Sequence, residues 1–90
     1  MKQLKIYEIW QNVNNGYDTY GEAVVLAFSE DEAKNIHPEK GSRVISRKAV
    51  EKGYLFYKTW CFLEDVQVRE IGIATTGEAG QVICASFNAG

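Results

Sequence analysis

Chemistry in this chain has to come from a short inventory: one histidine, His37, two cysteines, Cys61 and Cys84, four serines and two runs of acids. A serine or thiol nucleophile would need His37 beside it as base, and no nucleophile-elbow pattern surrounds Ser29, Ser42, Ser46 or Ser86. Glu30-Asp31-Glu32 and Glu64-Asp65 place carboxylates side by side, as acid–base catalysis would require, but the first run is explained by a helix start and the second by a polar turn before a strand. Gly77 and Gly80 are followed by neither Gly-Lys-Ser/Thr nor GxGxxG, so they do not form a phosphate loop. The cysteines are far apart and neither has a CxxC neighbour, which argues against zinc; one disulfide could join them, but their aromatic and aliphatic neighbours make both expected core thiols. His37, without carboxylate or thiol partners at ligand spacing, reads as a residue at a helix C-terminus that interacts with the helix dipole. The inventory points away from an enzyme, a metal centre or a cofactor.

A second constellation lies in residues 39–63, where Lys40, Arg43, Arg47, Lys48, Lys52 and Lys58 face only Glu39 and Glu51, a local charge of +4 in a chain whose net charge is −2. Tyr54, Phe56, Tyr57 and Trp60 interleave aromatic rings on which a base could stack. Against this, Val44, Ile45, Ala49, Val50, Leu55 and Phe62 are apolar enough for a packed lid with a solvated basic rim, and nucleic-acid binders are normally more basic overall.

The elements that must position these residues are legible from pattern. Residues 23–28 form an unbroken apolar run of strand type. Ser29 follows as an N-cap, with Glu32 three residues on as its capping-box partner, and opens a helix of about two turns that Pro38 ends. Ala33 and Ile36 share that helix's core face. Residues 4–10 alternate as a first strand, with Leu4, Ile6 and Glu8 opposite Lys5, Tyr7 and Ile9. It is joined to the second by a connection rich in turn formers around Asn15-Gly16. Residues 66–74 and 81–87 read as two further strands, expected as a hairpin around the glycine-bearing loop between them. The expected fold is α+β: a ββαββ-like antiparallel four-stranded sheet with one short helix on one face and an irregular middle insertion. One short helix cannot cover four strands, so the other face is expected to take the middle segment or a second copy, making a homo-oligomer.

A length of 90 residues sets the expectation of a single domain, residues 1–90, whose core is thin. No apolar stretch approaches the roughly 20 residues of a membrane helix, and no signal-peptide apolar segment is seen at the start. The expected location is therefore the cytoplasm, with no membrane partner.

Four stretches together carry a resemblance: Asn14-Asn15-Gly16-Tyr17-Asp18-Thr19-Tyr20; Glu30-Asp31-Glu32-Ala33 through Ile36-His37-Pro38; Trp60-Cys61 with Glu64-Asp65-Val66; and Ile83-Cys84-Ala85-Ser86-Phe87-Asn88-Ala89-Gly90. The pattern resembles small uncharacterised proteins of bacteriophages and prophages, over most of the chain except the basic middle. The resemblance implies a setting in the host bacterial cytoplasm and no catalytic residues. It implies a non-enzymatic binding protein that sequesters a host factor, either a host protein or a nucleotide-like immune signal, as counter-defence. For such a ligand the candidate contacts are the donors Asn14, Asn15 and Arg69 and the aromatic rings of Tyr17, Tyr20 and Trp60. The alternatives are a nucleic-acid-binding accessory protein using residues 40–60, or a virion structural or assembly protein.

Overall fold

Alternation in the first strand decides which face of the sheet is covered. In β1 (Lys5–Trp10), Tyr7 and Ile9 are buried, whereas the intervening Ile6, Glu8 and Trp10 belong to the opposite face and are partly exposed. The computed structural model describes residues 3–39, 44, 46–52 and 59–88. β2 (Thr19–Ala27) pairs with β1 so that Tyr7 faces Val25 and Ile9 faces Ala23, and all four are buried together. This strand begins four residues before the apolar run, because Thr19 and Tyr20 continue it along the sheet.

The sheet order is β3-β1-β2-β4 and every pair is antiparallel, an α+β arrangement of the expected class. β3 (Gln67–Ile73) lies beside β1, and β4 (Val82–Asn88) beside β2. The last two strands are therefore not the hairpin that their spacing suggests; they occupy opposite edges. Residues 74–81 bridge them around the end of the central pair instead of turning back. Ala74 N donates to Leu4 O at 3.0 Å, Gly80 N donates to Leu26 O at 2.8 Å, and Leu26 N donates to Gln81 O at 2.9 Å. Two glycines with positive φ, Gly77 at 100° and Gly80 at 93°, let the bridge bend onto Leu26.

After β2 the chain enters α1 (Glu30–Lys34) through the Ser29 cap, whose Oγ accepts from Glu32 N at 3.2 Å. The Glu32 carboxylate reaches back to Phe28 N at 3.4 Å, one residue earlier than a capping box would place it. Ala33 and the following Ile36 are buried against the sheet as their spacing requires. The helix is one turn rather than two.

The middle insertion adds a further short helix, α2 (Arg47–Glu51), and a 3-10 turn at Leu63–Asp65. Its described core residues, Val44, Trp60 and Cys61, join Tyr7, Ile9, Val25, Ala33, Ile36 and Val66 in one cluster. These described insertion residues and α1 thus share one face of the sheet. On the opposite face, Glu8, Arg69, Glu22 and Ser86 solvate the centre, and Arg69 Nη2 pairs with Glu8 Oε1 at 2.6 Å. Its apolar end, at Ile6 and Leu26, lies against residues 74–81. Cys84, opposite Val24, is exposed, which corrects the expectation of two buried thiols: an edge strand has no neighbour to enclose it.

Candidate functional site

Where β1 ends, one buried side chain organises the connection to β2. Gln11, 2% exposed, uses both ends of its amide. Its Oε1 accepts from Val13 N at 2.9 Å and Asn14 N at 2.8 Å, and its Nε2 donates to Asn14 O at 2.7 Å and Tyr20 O at 2.9 Å. The loop is closed a second time by Thr19 Oγ1, which donates to Gly16 O at 2.6 Å, and Asn88 Nδ2 donates to the same carbonyl at 3.1 Å. Asp18 takes the left-handed conformation, φ 60°, at the turn into β2. A loop dense in turn formers is thus held in one shape by hydrogen bonds that converge on a buried amide and on Gly16 O.

That loop forms one wall of a cleft of about 450 Å³, lined by Val13, Asn14, Arg47, Trp60, Cys61, Phe62 and Asp65. Asn14 Nδ2 donates to Trp60 O at 2.7 Å and ties the loop to the far wall. Opposite, the Arg47 guanidinium lies over the Phe62 ring, 5.0 Å from its centroid, and its Nη2 is 3.4 Å from Asp65 Oδ2. Arg47 N donates to the Glu64 carboxylate at 3.1 and 3.2 Å, which anchors the start of α2 to the 3-10 turn. Within the wall, burial and then the nearby Asp65 and Glu64 carboxylates push the Cys61 thiol up to about 12, so it stays protonated and is a packing group, not a nucleophile. Trp60 is fully enclosed, and its indole Nε1 has no hydrogen-bond partner among the described residues.

Of the six expected contact residues, the structure brings two to this cleft, Asn14 and Trp60. Asn15 is exposed on the same loop, its Nδ2 donating to Asn12 O, and Tyr17 stands at the tip, 76% exposed. Tyr20 packs at the core margin between Phe87, at 4.7 Å between ring centroids, and the edge of His37. Arg69 lies on the other face of the sheet, engaged with Glu8. The six do not converge. Val13, Arg47, Phe62 and Asp65 were not singled out as a site by sequence reasoning, since Arg47 counted only as part of the basic run and its partners lie 15 to 18 positions further on.

His37 is also placed differently from expectation. The helix ends at Lys34, so His37 lies beyond its last turn, 3% exposed and away from any dipole role. Its Nδ1 accepts from Glu39 N at 3.1 Å, so in the neutral ring Nε2 carries the proton towards Thr59 Oγ1, 3.4 Å away. A ring in that tautomer does not deprotonate Thr59. Burial holds its pKa below the ordinary value, with Glu39 opposing. No cluster of metal-ligating side chains occurs among the described residues.

No family model, curated protein or solved structure matches this chain. What the cleft can do therefore rests on its own chemistry. It offers apolar walls at Val13 and Phe62 and a guanidinium beside the Asp65 carboxylate, an arrangement suited to holding a group with both apolar and hydrogen-bonding parts.

Proposed function

We propose that this chain is a small non-enzymatic binding protein of the phage or prophage type that sequesters a host protein, and that the cleft between the Gln11-braced loop and Arg47 receives a segment of that protein. The carrying observation is the composition of the cleft. Asp65 lies against the Arg47 guanidinium in the cleft wall, so a polyanionic phosphate group meets a carboxylate beside the guanidinium, whereas a peptide segment can use the apolar walls and both signs of charge. This balance favours a host protein over the nucleotide-like signal. The enclosure of Trp60 supports the same choice, because a fully covered indole does not stack on a base. The nucleic-acid reading relies on Arg47, Lys48 and Lys52 together with Lys40, Arg43, Tyr54, Phe56, Tyr57 and Lys58, and the last six lie outside the described residues.

The test is native mass spectrometry of the protein purified gently from a bacterial host. The expected result is a retained polypeptide whose occupancy falls about tenfold or more in Arg47→Ala and in Val13→Glu, as for a contact central to an interface. A nucleotide-sized retained mass would replace the protein reading by the nucleotide one. A retained polypeptide indifferent to both substitutions would remove the cleft from the proposal.

A further inference from the structure

The two edges of the sheet are built differently. β3 carries the devices that keep an edge strand unpaired: Arg69 and Glu70 in mid-strand, each in an ion pair with a β1 residue, Gly72, and a register shift opposite Ile6 and Tyr7. β4 reads Val-Ile-Cys-Ala-Ser-Phe-Asn, with no charge and no proline, and from Ile83 to Asn88 every residue is exposed. Its pairing with β2 shifts register twice: one shift leaves Ile83 of β4 without an opposite residue, and the other leaves Gly21 of β2 unopposed between Tyr20–Phe87 and Glu22–Ser86, so that β4 itself carries no extra residue over 84–88. Phe87 stands 45% exposed on that run although its ring packs on Tyr20.

We infer that β4 is a docking edge for a second copy of this chain, joined antiparallel across a two-fold axis at Ser86 into a continuous eight-stranded sheet. The occupant follows from the charge pattern. An antiparallel edge pairing is self-complementary, and the absence of charge in Val82–Asn88 means that two copies meet with no like charges opposed within the strand. The same meeting at β3 would bring ionised residues already committed to β1 against one another. With the axis at Ser86, Cys84 faces Asn88 of the second copy and Ala85 faces its Phe87, so each exposed ring gains an apolar neighbour and the shifted position Ile83 stays outside the paired run. Five paired residues a side bury less than the roughly 1,200 Å² of a standard interface, so the dimer is a reversible one in the micromolar range. The inference is independent of the cleft, which lies on the loop and insertion.

The experiment is sedimentation equilibrium of the whole chain across concentrations up to about 500 μM. The expected mass rises from 10.1 kDa towards twice that value. Ser86→Lys places two ammonium groups face to face at the axis, each beside its own Glu22 on β2, and is expected to stay monomeric with an unchanged far-UV circular dichroism spectrum. As a second readout, Ser86→Cys in a Cys84→Ser background is expected to form a disulfide-linked dimer on mild oxidation, and Ile71→Cys in that background is not. A wild-type mass of 10.1 kDa at all concentrations would overturn the inference. So would a Ser86→Lys protein that dimerises like the wild type, or cross-linking through Ile71→Cys in place of Ser86→Cys.

Discussion

Gln11 shows how much a single buried amide can determine. Four hydrogen bonds converge on it, and they fix the loop that forms one wall of the cleft. Gln11→Leu keeps the volume but removes four hydrogen bonds to part-buried main-chain groups of the loop and of β2. The expected cost is about 2–4 kcal/mol in urea denaturation, well above the change for an exposed loop residue such as Asn12→Ala. Composition does not reveal this role, since a glutamine at a strand end is common and its partners are main-chain atoms. Trp60, expected as a stacking contact, is core instead, because the apolar residues gathered around it leave the indole fully covered. Arg47 was not legible as a cleft residue, because its contacts to Phe62 and Asp65 depend on how the insertion turns back on itself.

The individual elements were legible where local rules act alone. The Ser29 cap, the burial of Ala33 and Ile36, and the alternation of β1 all depend on neighbours within a few positions. Strand order was not, because a loop with two glycines looks the same whether it reverses a chain in a hairpin or carries it past two intervening strands. The difference lies in partners distant in sequence: Leu4 for Ala74 and Leu26 for Gly80 and Gln81. Gly77 sits at the centre of that crossing, at φ 100°, where a methyl group would run into Leu26 Cδ1 and press on Gln81 Oε1. Gly77→Ala is therefore expected to destabilise the fold by about 1–3 kcal/mol, read as a lower urea midpoint with an unchanged slope. Gly16→Ala, where nothing lies within 4 Å and φ is not positive, is the matched control and is expected to be nearly silent.

At the scale of the molecule, the described core is one small cluster against the sheet, and in it each buried polar group matters. His37 is buried neutral, with its pKa below the ordinary 6.5, so the unfolded chain binds a proton that the folded one resists. Its contribution to stability is complete above pH 6.5 and is lost as the pH falls from there towards the lowered folded value. The melting temperature is expected to drop between pH 7 and pH 5, and to drop less in His37→Gln, whose amide can accept from Glu39 N and donate to Thr59 without titrating. The strand order also carries a temporal meaning. Because β1 and β2 are the inner pair, the middle of the sheet is translated before either flank exists, and the ribosome presents a two-stranded ribbon, marginal by itself, while the next forty or so residues are added. Assembly then proceeds outward, β3 closing one side of the nascent ribbon before β4 reaches the other. Translation speed through residues 28–66 thus sets how long an unfinished sheet must survive in the cell.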